Sequence, residues 1–194
     1  MTLDPRIARI IDGVIGIEAG FTKDPLDGGN WTGGKPNVGT LEGTRWGIAV
    51  ATARAAGYTG AMQDLPRQTA FDIYARKYVA DPRFDAVIAL NVDIGAELVD
   101  TGVNMGPPVA GCLLQRWLNG LNDGRYPALT VDGHLGDQSI AALRAYLAWR
   151  GAEGVKVLLR GLNGSQADRY LENTESRPTQ RRYLYGWVLQ RVEM

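Results

Sequence analysis

Between Phe21 and Gly43 the chain places glycine at positions 28, 29, 33, 34, 39 and 43, with Pro25 and Pro36 among them, a spacing that breaks regular structure repeatedly. This stretch is a loop, and the residues before it form a helix. Asp4 is a suitable N-cap, Pro5 suits the first helical position, and Ile7, Ile10, Ile11, Val14 and Ile15 recur at helical spacing. Glu18 takes the next place on that apolar stripe, two residues before the helix-stopping Gly20. A carboxyl at the end of a buried face is expected to resist ionisation, because desolvation penalises its charged form. A glutamate held in this way can act as a general acid near neutral pH. A loop this long inside a compact domain is more often functional than idle.

The rest of the chain reads as mainly α. Helices are expected over residues 5–17, 44–56, 66–78, 94–103, 109–119, 137–150, 151–161, 165–173 and 179–192, with a small β-ribbon in the loop at 22–43. The polar stretch Asn119–Tyr126 suits a hinge or lobe boundary, and the whole divides into a catalytic lobe over 1–95 and a helical lobe over 96–194.

Composition narrows the function class. With 194 residues, 45% of them hydrophobic, the chain can bury a real core. Its formal net charge of zero gives no long-range attraction to nucleic acid or anionic lipid, so neither a nucleic-acid partner nor stable membrane insertion is expected, and a monomer is. Asp4, Arg6, Arg9 and Asp12 interrupt any apolar signal core, which predicts synthesis in the cytoplasm without a signal peptide. His134 is the one histidine and Cys112 the one cysteine, so a zinc amidase or peptidase lacks its usual ligands and no metal is expected. The apolar helical setting of Cys112 argues against a thiol dyad with His134. Gly29–Lys35 matches most of a phosphate-binding loop, but Pro36 stands where Ser or Thr is required and no strand precedes the glycines.

Several polar and aromatic groups gather near Glu18. Asp27 follows with eight residues between, then Asn30, Trp31 and Thr32 in the same loop, and Thr44-Arg45-Trp46-Gly47-Ile48 closes it. Glycoside cleavage needs an acid to protonate the leaving oxygen and a second carboxylate to activate water or offset cationic charge. The catalytic candidates are Glu18, Asp27 and Thr32. Asp24 and Asp27, before proline and glycine, also fit ordinary turn chemistry. Trp46, Trp117, Trp149 and Trp187 fit helical patterns and a core role, which leaves Trp31 as the better sugar contact.

The run from Glu18 to Gly34, closed by Thr44–Ile48, resembles the signature of glycoside hydrolase family 108, which comprises phage endolysins and prophage-encoded N-acetylmuramidases. The family's catalytic glutamate falls on Glu18, with Ala19 in place of the usual glycine. The Glu, Asp, Thr spacing is also similar to that of T4-type phage lysozymes. Further on, Phe71–Tyr78 resembles the family's helix ending in Tyr-Trp, with Val79 in the tryptophan's place, and Leu98–Gly106 resembles its Asp-x-x-Val-Asn-x-Gly segment. Leu129–Leu143 and Arg181–Val192 resemble the C-terminal peptidoglycan-binding segment of such lysins.

The resemblance implies a lysozyme-like fold, a bacterial peptidoglycan substrate and no cofactor. It implies catalysis by Glu18 with Asp27, and substrate contacts from Trp31, Thr44, Tyr78 and Asn104. A phage lysin would reach the cell wall through a separate holin. A non-catalytic peptidoglycan-binding or secretion-activator module and a lytic transglycosylase are the alternatives.

Overall fold

Helix α1 (Pro5–Ile17) starts where the sequence places it. The Asp4 carboxylate accepts the backbone N–H of Arg6 at 2.9 Å, and the Asp4 carbonyl accepts that of Ala8 at 3.1 Å, which satisfies two donors of the first turn. The Arg6 side chain, then its backbone N–H, hold the Asp4 carboxyl down at about 2. Ile7, Ile11, Val14 and Ile15 are buried and Ile10 is half-buried, so the predicted stripe is the face α1 turns inward. The computed structural model describes residues 4–17 and 20–192; Glu18, and with it the expectation of a raised pKa, lies outside the described residues.

Two compact units make up the chain, Met1–Val79 and Ala80–Met194. In the first, α1 packs against α3 (Arg67–Tyr74). A three-stranded antiparallel sheet, β1 (Phe21–Thr22), β2 (Thr44–Arg45) and β3 (Ile48–Ala49), is followed by α2 (Val50–Ala55). Thr44 faces Thr22 on one side and Ala49 on the other. The expected ribbon therefore lies at the borders of the loop, with one further bridge inside it, Trp31 to Leu41.

The helix expected from Thr44 to Ala56 is corrected: its first third is a hairpin. Trp46 takes a positive φ of 53° and Gly47 one of 71°, a tight turn that helical periodicity cannot detect. Trp46 is fixed there by its indole N–H, which donates to the Leu65 carbonyl at 2.9 Å, and by its own carbonyl, which accepts the Tyr74 hydroxyl at 3.0 Å. It is half-buried and anchored from a turn, where a place in a helix was expected.

The second unit is helical: α4 (Phe84–Leu90), α5 (Val92–Met105), α6 (Pro107–Gly120), α7 (Asp137–Ser176) and α8 (Arg181–Arg191). Helix α4 was not anticipated. It is only two turns long, yet it buries Phe84, Val87 and Ile88, one short apolar face.

Of the three helices expected between 137 and 173, the first ends where expected, at a kink at Gly151 (φ 58°, ψ −147°), whereas the other two are one run. Gly161 does not stop it. A Cβ there would lie 2.6 Å from the Trp117 indole, so this glycine admits close packing, and the Trp117 N–H reaches Ser165 Oγ at 2.9 Å one turn on. The stretch Asn119–Tyr126, expected as a hinge or lobe boundary, falls inside this unit. It is pinned, with Asn122 Nδ2 donating to the Tyr126 carbonyl at 2.6 Å and the Tyr126 hydroxyl donating to the Leu118 carbonyl at 2.7 Å.

Helix α6 holds the loop that follows it through two amide side chains one turn apart. Gln115 is 1% exposed; its amide nitrogen Nε2 donates to Asp132 Oδ1 (2.9 Å) and the His134 carbonyl (3.0 Å). Its Oε1 accepts the backbone N–H groups of Asp132 (3.1 Å) and Gly133 (2.8 Å). Asn119 exchanges both of its bonds with the backbone of Leu129, at 2.8 and 2.7 Å. The Gln115 bond, then the His134 backbone N–H, lower the Asp132 carboxyl pKa below its ordinary value.

Candidate active site

The glycine-rich loop is tied at both ends and through its middle. Asp24 Oδ1 accepts the Leu26 N–H at 2.9 Å, the turn role expected for it. Asn30 is fully buried; its Nδ2 donates to the Asp24 carbonyl at 2.9 Å, and its own carbonyl accepts the backbone N–H groups of Glu42 (2.9 Å) and Gly43 (3.0 Å). Glu42 in turn pairs with the Arg54 guanidinium of α2. These bonds hold the two limbs of the loop side by side.

Asp27 caps the 3-10 turn Gly28–Asn30, its Oδ1 accepting the Gly29 N–H at 2.9 Å. The side chain is exposed, and among the described residues its Oδ2 makes no hydrogen bond. Thr44, on β2, comes to the same place. A Cβ on Gly29 would lie 3.4 Å from Asp27 Oδ1 and 3.7 Å from Thr44 Oγ1, so carboxylate and hydroxyl converge over a residue that has no side chain to separate them.

Among the described residues, Thr44 Oγ1 is buried without a hydrogen-bond partner, and so are Asn30 Oδ1 and Arg45 Nε. A buried polar atom left unsatisfied costs about 1–3 kcal/mol, so three of them in one loop and the strand that closes it mark a place that an incoming polar group or water would complete.

The other predicted residues have different settings. Thr32 Oγ1 is already engaged, accepting the Thr40 N–H at 2.9 Å, so it braces the loop. Trp31 is half-buried and donates its indole N–H to the Pro25 carbonyl at 3.0 Å. Tyr78 lies in a π-helical turn (Ala75–Ala80), half-buried, with its ring 5.4 Å from that of Tyr74 and the Lys77 ammonium 5.1 Å from its own. Val79, where the family resemblance expects tryptophan, is 1% exposed and belongs to the core. Asn104 belongs to the second unit, exposed near the end of α5, with Nδ2 donating to the Asp100 carbonyl at 3.0 Å.

Sequence reading gave neither Asn30 nor Arg45 a role in the site. Nothing local distinguishes a buried asparagine from an exposed one in a glycine-rich loop.

Asp100 is a half-buried hydrogen-bonding acid. Its Oδ1 meets the Arg191 guanidinium of α8 at 2.5 Å and its Oδ2 accepts from Gln166 at 3.0 Å.

Residues 11–106 match the family model described as Glycosyl hydrolase 108, and residues 109–192 match the one described as Predicted Peptidoglycan domain. The chain belongs to glycosyl hydrolase family 108. The two matches in tandem make it a peptidoglycan hydrolase. No curated protein matches the chain. Among solved structures it is similar to one titled "Structure of Brucella abortus SagA", at 21% identity and a TM-score of 0.67, covering 96% of this chain and 89% of that one. That likeness establishes the fold, mainly α and lysozyme-like. The glycosyl hydrolase 108 match spans Glu18, the whole glycine-rich loop and Asn104, so every predicted site residue falls inside it.

Proposed function

We propose that this family 108 hydrolase cleaves the β-1,4 bond between N-acetylmuramic acid and N-acetylglucosamine, as an endolysin-type muramidase acting without metal or organic cofactor. Glu18 donates the proton to the bridging oxygen, the role the family motif gives it. Asp27 offsets positive charge at the anomeric carbon or orients the attacking water through Oδ2, while Oδ1 stays committed to the turn. The observation that carries this reading is the approach of Asp27 to Thr44 over Gly29, because a hydroxyl without a partner beside a carboxylate is a place for one water.

In this assignment Thr44 takes the water-holding part and Thr32 supports the loop. Trp31, Tyr78 and Asn104 are the proposed substrate contacts, and residues 1–95 form the catalytic lobe beside a helical lobe over 96–194. The protein works as a monomer and, if carried by a phage, reaches the wall through a holin after synthesis in the host cytoplasm.

Mass spectrometry of digested peptidoglycan tests the proposal. The expected products carry reducing muramic acid. Anhydro-muramic products would reassign the chain as a lytic transglycosylase, and released peptides alone would overturn the glycosidase reading. Glu18→Gln is expected to abolish product release while sacculus binding persists; undiminished lysis by that variant would remove Glu18 from the mechanism.

A further inference from the structure

The second unit carries a groove of about 580 Å³, of whose lining the proposed chemistry uses Asn104 alone. It is drawn from both family matches. Asn104 and Met105 come from the glycosyl hydrolase 108 match, and Arg169, Glu172, Asn173 and Arg177 of α7 and its end come from the peptidoglycan match. Trp187 also borders it, but its ring is stacked against Tyr170 at 5.3 Å and Tyr183 at 5.8 Å, each inclined by 27°. An indole engaged by two other rings is a poor platform for a sugar. The groove therefore offers guanidinium, carboxylate and amide groups in place of an open aromatic face.

The charges are arranged for exchange. Arg177 is exposed and among the described residues makes no ion pair. Arg169 is paired with Glu172 at 2.7 Å, with side chains 58% and 52% exposed, a surface pair weak enough to yield to a ligand. Guanidinium groups favour carboxylates through paired, charge-assisted hydrogen bonds, and Glu172 is free to receive an ammonium once Arg169 turns to the ligand.

In peptidoglycan the part that carries both carboxylates and an amine is the stem peptide, not the acetylated glycan. We infer that this groove binds the stem peptide of peptidoglycan, with Arg177 and Arg169 on its carboxylates, so that the helical unit reads the peptide while the loop of the first unit acts on the glycan. This rests on the peptidoglycan-hydrolase reading above.

Calorimetric titration of the full chain with a purified disaccharide-tetrapeptide, against a peptide-free N-acetylglucosamine oligomer, tests the inference. Arg177→Glu is expected to weaken muropeptide binding at least tenfold and to raise KM on sacculi. Arg177→Lys should keep more of the affinity, and Arg160→Glu, a charge reversal on α7 that does not line the groove, should stay within twofold of the parent. Equal losses in the Arg160 and Arg177 variants would reduce the effect to overall charge and overturn the inference. So would an unchanged affinity in Arg177→Glu, or peptide-free oligomer binding that Arg177→Glu weakens as much as it weakens muropeptide. If instead the parent protein releases no muropeptides from sacculi, it is the proposed function that fails.

Discussion

The chain contains two polar, glycine-containing loops, one over residues 23–43 in the first unit and a shorter one over 121–136 in the second, and they handle buried polar atoms in opposite ways. The second is held by two amides of α6 that are engaged at both ends, Gln115 and Asn119, which bond to the loop through oxygen and nitrogen alike. In the first and in the strand β2 that closes it, Asn30 Oδ1, Thr44 Oγ1 and Arg45 Nε are buried and, among the described residues, left without partners. A saturated loop is a structural one, since nothing in it gains by meeting a ligand. An unsaturated loop holds a polarity that the fold alone does not use, which is the condition an active site needs. A polar loop thus serves as a brace in one unit and as a proposed catalytic site in the other.

That contrast can be broken at four points. The largest effect belongs to Asp27→Asn, which keeps the turn cap but removes the charge. Product release from peptidoglycan should fall on the order of 10²-fold or more, with little change in thermal midpoint, because asparagine caps about as well as aspartate. Retained activity would make Asp27 a turn residue alone.

Gln115→Leu comes next, acting on stability. It strips the Asp132 and Gly133 N–H groups of their acceptor and should cost about 2–4 kcal/mol, lowering the thermal midpoint by roughly 5–15 °C. A midpoint shift under about 2 °C would mean that the second loop is not held by this side chain.

The paired variants Thr32→Val and Thr44→Val sharpen the comparison within one loop. Thr32→Val removes the acceptor for the Thr40 N–H and should destabilise by about 1 kcal/mol. Thr44→Val replaces an unpartnered hydroxyl with a methyl group of the same shape, so stability should hold or rise while turnover falls about tenfold. If denaturation curves showed the reverse order, the assignment of the water-holding hydroxyl would move to Thr32.

The smallest effect is a pH dependence. Because the Asp132 carboxyl is lowered in the folded state, its contribution is present above the ordinary carboxylate pKa and is lost as the pH falls through the depressed folded value. Denaturant midpoints taken between pH 5 and 2 should fall less steeply for Asp132→Asn than for the parent; parallel curves would remove Asp132 from the acid response.

Much of the fold was legible in sequence where a pattern is local. The Ile7, Ile11, Val14, Ile15 stripe and the Asp4 cap placed α1 to the residue, and α6 differed from its expected span only at the ends. Readings failed where a distant partner decided the conformation. Thr44–Ala49 is a hairpin because β1 pairs with β2 and Trp46 is anchored to Leu65 and Tyr74, none of which its own periodicity contains. Gly161 reads as a helix stop until Trp117 lies across it. Asp24 as a turn residue was readable, since an aspartate before proline braces its own backbone.

The sequence by itself determined the family, through the motif around Glu18 that extends into the loop, and the helices whose buried faces repeat every three to four residues. It also singled out Asp27, Thr32 and Thr44 as candidate polar groups of the site. Only the tertiary structure decided that Thr32 is committed to Thr40, that Thr44 stands unpartnered beside Asp27 over Gly29, and that Asn30 is buried at the centre of the loop. The physical reason is range. Apolar periodicity is set by neighbours three and four residues away, whereas a hydrogen bond is satisfied or left open by whatever the fold brings within 3 Å.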